Sequence, residues 1–263
     1  MKLSTIRNKP KKKWVAPLIT VGALLFWVGV WWLCSLLFDQ KWALPSPPQV
    51  FSALFSVITL KTVFPAVLLS LWGIAKGYLW GMAAGTLLAA LTSSVYPLHL
   101  LFSPLLTVVK ATPIASFILI LWMLFAKGQV PAYAVFLVVL PIVWANLEEG
   151  FGNADQRLVE MGRSYGFSLW KRIYYIYLPA VYPFFKSAAL VALGMAWKAG
   201  IAAEVICTPD GTVGKMIFMA KRDLLTDEVF AWTFAVVAVC FLLEKLLALV
   251  LSLPYGGRKR GAK

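Results

Sequence analysis

The most polar stretch of the chain lies at its centre, between two apolar blocks that are each long enough to cross a bilayer. Residues 155–179 read DQRLVEMGRSYGFSLWKRIYYIYLP. Gly166 can take the left-handed turn that ends many helices, so the pattern predicts a helix, a tight elbow and a second helix. Such an elbow, joined directly to a spanning helix, could transmit a push from a partner. The alternative is a helix pair that lies in the lipid headgroups.

Capping residues set the expected limits of the two helices. Asn153, with Gln156 three residues later, is expected to begin the first helix, and Ser168 the second. Pro179 is expected to break the second helix, and Pro183 to open the next span. The predicted apolar faces are Leu158, Met161 and Tyr165 in the first helix, and Trp170, Ile173, Tyr174 and Tyr177 in the second.

Charged residues within the apolar blocks are the other candidates for function, because charge at membrane depth is costly. They are Lys76, Lys198, Glu204 and Glu244. Lys198 and Glu204 are six positions apart, about 240° around a helix, so they cannot pair along one face. Glu204, near the outer end of its block, is a candidate for an external gate or for the lip that receives a delivery protein. An interfacial carboxylate satisfied by water is the alternative.

The sequence argues against a metal site, ATP hydrolysis and enzymatic catalysis by this chain. The one histidine, His99, has no cysteine or carboxylate near it in sequence, and Cys34, Cys207 and Cys240 lack metal-ligand spacing, so no metal site is expected. The segment 211–215 reads GTVGK, which lacks the spacing and the hydroxyl of a phosphate loop. We therefore expect no ATP hydrolysis by this chain. The scattered acids also argue against a membrane-embedded enzyme.

Composition predicts an all-α polytopic membrane protein. Of 263 residues, 61% are hydrophobic and 14% charged, against about a quarter charged in soluble domains. The net charge of +14 comes from basic residues beside apolar blocks, where they meet anionic lipid. Nucleic-acid binding is therefore not expected.

Six transmembrane helices are expected, and an even number of crossings places both termini in the cytoplasm. Their predicted bounds are 14–38, 65–91, 100–125, 130–147, 182–206 and 229–253, with a basic cytoplasmic N-terminus at 1–13 and a polar outer loop at 207–228. The external connector, 39–63, contains LPSPP, after which an amphipathic helix is expected over 49–60. Its predicted apolar face is Phe51, Leu54, Phe55 and Ile58.

Two spans carry features of a transport pathway. The second has glycines at four-residue intervals, which allow another helix to approach closely; they are Gly73, Gly77, Gly81 and Gly85. Ordinary helix packing is the alternative explanation of this stripe. In the third, Pro104 and Pro113 flank Lys110, and broken helices at membrane depth face protein or water. This predicts a pathway lining at Lys110 and Pro113. Alternatively, Pro104 lies at a helix start and Lys110 reaches the interface.

The central segment resembles the EAA loop of binding-protein-dependent ABC importer permeases. The family spacing is E-A-A, three residues, G, nine residues, I-x-L-P, and the matching residues here are Glu160, Met161, Gly162, Gly166, Ile176, Leu178 and Pro179. Met161 and Gly162 depart from the two alanines of the family. The LPSP segment and the run from Gly194 to Glu204 resemble the nitrate, sulfonate and taurine permeases of that family.

The resemblance implies a type I ABC importer permease fold over residues 64–253, with a coupling loop at 153–179 and a basic tail at 254–263. It implies a homodimer in a bacterial inner membrane, two ATPase subunits that bind ATP and Mg²⁺, and an extracytoplasmic substrate-binding protein. The implied solute is a small anion or a vitamin precursor. The rival hypothesis is an ATP-independent secondary transporter or channel, which would favour paired membrane acids or an inverted repeat.

Overall fold

The computed structural model describes residues 15–37, 44–56 and 60–252, and every regular element within these three ranges is helical. The predicted segments 1–13 and 254–263 lie outside them. In chain order the elements are α1 (Val15–Leu37), α2 (Pro47–Ser56), α3 (Leu60–Ser94), α4 (Tyr96–Ala111), α5 (Ile114–Leu124), α6 (Val130–Gly152), α7 (Gln156–Ser164), α8 (Leu169–Arg172), a π-helix (Ile173–Tyr177), α9 (Leu178–Cys207), α10 (Val213–Arg222) and α11 (Thr226–Val250).

The number of crossings agrees with the sequence prediction. Five helical segments in the described ranges are long and apolar enough to span a bilayer: α1, α3, α6, the run through α8 and α9, and α11. The pair α4 and α5, bent by 100° at a short break, is a sixth span if it is counted as one. The fold is therefore all-α and polytopic, as expected.

The chain forms two compact units. The first contains α1, α2 and the described residues 220–231. Within it, Ser35 Oγ donates a hydrogen bond to the carbonyl oxygen of Leu44 at 3.1 Å. The rings of Trp31 and Phe230 stack at 5.9 Å between centroids. Most of the apolar side chains of α1 are exposed, as in a helix that faces lipid.

The helix α2 begins two residues earlier than expected because its prolines lie at its start. Pro47 and Pro48 occupy the first turn, where a missing N–H costs nothing. The Gln49 side chain accepts hydrogen bonds from the backbone N–H and the hydroxyl of Ser46, at 2.8 and 2.9 Å. This resembles the capping-box arrangement in which the side chain at the third helical position satisfies the cap residue.

Two members of the predicted apolar face of α2 lie at the surface of the chain, and Ile58 lies outside the described residues. Val50 and Ala53 are buried, whereas Phe51 and Phe55 are exposed, Phe55 at 81%. The spacing of the exposed aromatic side chains is still helical, so periodicity identified the helix but not the side that packs against protein.

The second unit, residues 60–219 and 232–252 of the described chain, is built on α3, α6 and α9. Three of the four α3 glycines lie against α6, as expected. A Cβ at Gly77 would overlap the Ala132 carbonyl, and at Gly81 it would lie 2.7 Å from Val139 Cβ. A Cβ at Gly85 would lie 2.8 Å from Val143 Cβ, but a Cβ at Gly73 would have no other atom within 4 Å. The stripe is therefore one residue shorter than predicted.

Large aromatic residues pack in this core, and the polar atoms of Tyr78, Trp144 and Trp197 each form a hydrogen bond. Tyr78 donates its hydroxyl to the carbonyl of Ala189 at 3.0 Å, and Trp197 donates Nε1 to the carbonyl of Val236 at 3.0 Å. Trp144 Nε1 donates to Thr92 Oγ1 at 2.9 Å. These bonds satisfy groups that would otherwise be costly to bury.

Pro104 and Pro113, the two prolines of the predicted third span, have different effects on the helix. Pro104 lies inside α4, so the expected interruption there, and the alternative that places it at a helix start, are both wrong. Pro113 caps α5 at the 100° bend, where the broken helix was expected. The segment expected as a polar loop at 207–228 also contains a helix, α10, whose amphipathic pattern over ten residues was missed.

Candidate functional site

The central elbow is held by local backbone hydrogen bonds. Asp155, not Asn153, caps α7: its carboxylate accepts from the Arg157 N–H at 2.9 Å. At the other end Gly166 has φ +66°, as expected for a glycine that ends a helix. The N–H of Phe167 donates a hydrogen bond to the Gly162 carbonyl oxygen at 2.8 Å. The N–H of Gly166 donates to the Arg163 carbonyl oxygen at 3.0 Å. This pair of backbone hydrogen bonds is a Schellman motif.

Two residues of the EAA-like pattern meet inside the elbow. Gly162 and Ile176 are buried, and a Cβ at Gly162 would lie 3.0 Å from Ile176 Cδ1. The missing side chain at 162 therefore lets α7 pack closely on the π-helix. Glu160 and Met161, by contrast, are exposed. The departure from the family's two alanines thus places a glycine inside the elbow and a methionine on its surface.

The predicted apolar faces of the elbow lie mainly at the surface of the chain. Val159 is buried in α7, while the expected stripe of that helix is exposed. Among the exposed apolar side chains of the elbow are Leu158, Met161, Tyr165, Trp170, Ile173 and Tyr174. They form a surface that this chain does not cover in its described residues, and we call these six side chains the elbow face.

The elbow continues into α9 without a break. Pro179 was expected to end the second helix, but residues 169–207 form one helical run. The π-helix precedes the proline, and the Leu178 N–H donates to the Ile173 carbonyl five residues back. This wider turn accommodates a residue that has no N–H to donate. Pro183 likewise lies inside α9 instead of opening it.

Glu204 is a buried carboxylate that joins three elements. It is 1% exposed, and its Oε2 accepts from Ser70 Oγ of α3 at 2.8 Å and from the Gly214 N–H at 3.0 Å. Ser70 Oγ in turn accepts from the Val213 N–H at 3.0 Å. The two N–H groups belong to the first turn of α10, where a negative charge is favoured. The expectation of a carboxylate satisfied by water was therefore wrong.

The other charged candidates lie apart from this network. Lys198 is exposed on α9 while Glu204 is buried, which agrees with the expected separation around the helix. Lys110 is exposed in the last turn of α4, directly before the bend at Pro113. Lys76 lies over the Trp72 ring, 4.7 Å from its centroid.

Several polar contacts were not predicted because their members are distant in sequence. His99 Nδ1 lies 2.6 Å from Glu148 Oε1, joining α4 to α6. Asp210, which follows α9, forms ion pairs with two lysines: its Oδ2 lies 2.8 Å from Lys127 Nζ, and its Oδ1 pairs with Lys215 Nζ. Hydrogen bonds from Lys127 and Lys215 lower the pKa of Asp210 to about 2, so this carboxylate is charged at neutral pH. Within the described residues, no group of three metal-ligating side chains is present.

Comparison with known proteins identifies the class to which this architecture belongs. The family model described as "Binding-protein-dependent transport system inner membrane component" matches residues 77–252, which is more than half of the chain. The chain belongs to this family. It is a multi-pass membrane permease, and the matched range includes the elbow, α9 and Glu204, but not its partner Ser70.

Individual permeases match along most of their length. The chain is 29% identical to the putative aliphatic sulfonates transport permease SsuC of Escherichia coli, with 84% of each chain covered. It is 23% identical to the taurine transport system permease TauC of the same organism, with 88% of each covered. A crystal structure of an amino acid ABC transporter with histidines superposes with a TM-score of 0.56, covering 78% of this chain and 92% of that one at 18% identity. That likeness supports the permease fold alone.

Proposed function

We propose that this permease serves an ATP-driven importer, and that the elbow face is the surface on which a separate ATPase subunit docks. The observation that carries the proposal is the exposed apolar elbow, joined to α9 by an unbroken helical run. Exposed apolar surface of this kind marks an interaction site. Movement of the ATPase would thus be carried into a membrane-spanning helix.

The residues at the turn fit this role. The Schellman motif and the packing of Ile176 on Gly162 fix the angle between α7 and the helix that follows. Glu160 and Met161 lie at the surface, where a partner can reach them. ATP and Mg²⁺ would be bound by the ATPase, so this chain would need no cofactor of its own.

The assembly we propose has two copies of the permease, two ATPase subunits and an extracytoplasmic substrate-binding protein. Both termini and the elbow would lie in the cytoplasm. Alternating access would open the pathway first to the binding protein and then to the cytoplasm. The bend at Pro113, with Lys110 beside it, would line this pathway, because broken helices at membrane depth need protein or water at their free backbone groups.

The names of the similar permeases support a small anionic solute of the aliphatic sulfonate or taurine kind. Glu204, which ties α10 to α3 and α9, would hold the outer gate in position. Uptake and binding-protein-stimulated ATPase activity that are unchanged in Glu204→Gln would argue against a role of this carboxylate's charge in the gate.

Docking can be tested with a matched pair of tryptophan variants. Trp170 belongs to the elbow face and is 80% exposed, whereas Trp80 is exposed on α3. Aromatic side chains are frequent hot spots, where truncation costs about 2 kcal/mol or more of binding energy. We expect Trp170→Ala to weaken co-purification of the ATPase at least about tenfold, and Trp80→Ala to leave it unchanged.

The proposal fails if Trp170→Ala and Trp80→Ala retain the ATPase equally. It also fails if the permease, purified and reconstituted alone, moves solute across a vesicle membrane with no ATPase present, because the rival secondary transporter or channel would do so.

A further inference from the structure

An open groove lies between α9 and α11 in the second unit. Its lining residues are Leu190, Val191, Phe241, Glu244, Lys245 and Ala248. Val191 and Phe241 are more than half exposed, at 54% and 62%. The groove therefore combines an apolar surface with one carboxylate and one ammonium group, and the described part of this chain does not cover it.

The carboxylate of this groove is weakly satisfied within the chain. Gly194 of α9 leaves space for it, because a Cβ there would lie 2.8 Å from Glu244 Oε1. Among the described residues, its hydrogen bond comes from the Cys240 thiol at 3.7 Å, and a thiol is a weak donor. Glu244 is half-buried. A charge in such a position is costly unless an opposite charge is paired with it.

Lys245 does not supply that opposite charge from the same helix. Adjacent residues of an α-helix point about 100° apart and do not face each other. Neither Glu244 nor Lys245 takes part in an ion pair within 4.0 Å in the described ranges. Lys245 is exposed. No described residue of this chain therefore neutralises either side chain.

Both charges lie within the membrane-spanning part of α11, and at nearly the same depth. Glu244 is six residues before the end of α11 at Val250, about 9 Å along the helix. Gly194, which it faces, is 13 residues before the end of α9 at Cys207, about 20 Å. The step from Glu244 to Lys245 adds only about 1.5 Å. Charged residues at such a depth usually face protein or water and pair with one another.

We propose that two copies of this chain meet at the groove, with Glu244 of each copy paired with Lys245 of the other. A two-fold axis along the membrane normal keeps every residue at its own depth, so only residues of equal depth pair across it. Glu244 and Lys245 meet this condition because they are neighbours in sequence, and the symmetry makes the contact twice. This inference rests on the proposed assembly of two permease copies and names the surface that joins them.

Exchange of the two charges tests this pairing. The full chain, labelled on its C-terminal tail, would be diluted in liposomes, and energy transfer between labelled copies would give the dimer dissociation constant. We expect Glu244→Lys and Lys245→Glu each to raise that constant at least about tenfold, because each places like charges opposite one another in both contacts. The double exchange should restore the dimer, since opposite charges then meet again. A purely structural role of either side chain does not predict this rescue.

Lys76→Glu is the matched control for Lys245→Glu. Lys76 is also an exposed lysine of a spanning helix, but it lies over the Trp72 ring on α3 and does not line the groove. The same change of charge should therefore leave the dimer dissociation constant unchanged.

A cross-linking measurement leaves both charges in place. In a chain whose Cys34, Cys207 and Cys240 are replaced by serine, Phe241→Cys places a thiol in the groove. Leu242→Cys places one on the same helix outside the groove, at a position that is 57% exposed. We expect a short bismaleimide reagent to join two copies of the Phe241→Cys chain in the membrane and to leave the Leu242→Cys chain monomeric.

Four results would overturn the proposal. They are a monomeric unaltered chain in liposomes, which would mean that lipid covers the groove, an unchanged dimer in Lys245→Glu, a double exchange that dimerises no better than the single ones, and equal cross-linking at positions 241 and 242. Should a charge variant fail to insert, the cross-linking pair still decides. These measurements contain no ATPase, so their failure would leave ATPase docking at the elbow untouched. Unchanged docking in Trp170→Ala would likewise leave the dimer surface untouched.

Discussion

The helix core of α3, α6 and α9 and the elbow at 153–179 both depend on glycine, but for different reasons. In the core, Gly77, Gly81 and Gly85 are helical, and they are needed because α6 lies directly against them. In the elbow, Gly166 has no atom within 4 Å of its Cβ position, but it has φ +66°. One requirement comes from a neighbouring helix and the other from the residue's own backbone. Substitutions in the two regions should therefore fail in different ways.

The largest effect on stability is expected in the core. Gly77→Ala would drive a Cβ into the Ala132 carbonyl, which is backbone and cannot rotate away. We expect a loss of roughly 1–3 kcal/mol or more in the free energy of unfolding, as for other overpacked sites. Thermal unfolding of the purified protein measures it. Gly73→Ala, with open space at its Cβ, should be neutral or slightly stabilising. Equal losses in both variants would contradict close packing of α3 on α6.

A smaller loss is expected when the buried carboxylate of the core is removed. Glu204→Met would leave the Gly214 N–H without its acceptor and deprive the Ser70 hydroxyl of the same partner. An unsatisfied buried group costs about 1–3 kcal/mol. Glu204→Gln keeps an oxygen that can accept both bonds, so it should lose less. The same thermal unfolding measurement compares them. If the two variants were equally unstable, the charge, and not the hydrogen bonds, would be what matters here.

The smallest of the three stability effects is expected in the elbow. Gly166→Ala, or the bulkier Gly166→Val, places a Cβ on a left-handed residue, which costs about 1–2 kcal/mol. Because a Cβ at Gly166 would have no other atom within 4 Å, the protein should still insert into the membrane. The ATPase should co-purify less well, because the angle of the elbow changes. Gly152→Ala, at the end of α6 without positive φ, is the control. Normal docking and transport in Gly166→Val would contradict the elbow hypothesis.

Local chemistry explains why the elbow was largely predictable. Gly166 was correctly expected to end a helix, because a left-handed residue there favours glycine. The cap was misplaced by two residues, from Asn153 to Asp155, because both side chains can cap and only the backbone path chooses between them. The break expected at Pro179 was wrong because the π-helix before it removes the conflict.

Orientation was less predictable than helix formation. The apolar periodicity of α7 correctly indicated a helix with Leu158, Met161 and Tyr165 on one face, but it did not say what that face meets. Those side chains are exposed, and a sequence period does not distinguish a surface that packs within the chain from one that meets a partner. The same holds in α2, where Phe51 and Phe55 are exposed.

The helical membrane class and the glycine turn could be predicted from the amino-acid sequence, because the length of an apolar stretch and the backbone freedom of glycine are local properties. The tertiary structure determines which polar side chains meet: Glu204 with Ser70, 134 positions away, and His99 with Glu148, 49 positions away. It also brought Glu244 beside Gly194. These contacts depend on how helices distant in sequence pack together, and hydrophobic periodicity leaves that packing open because any apolar face can meet several others.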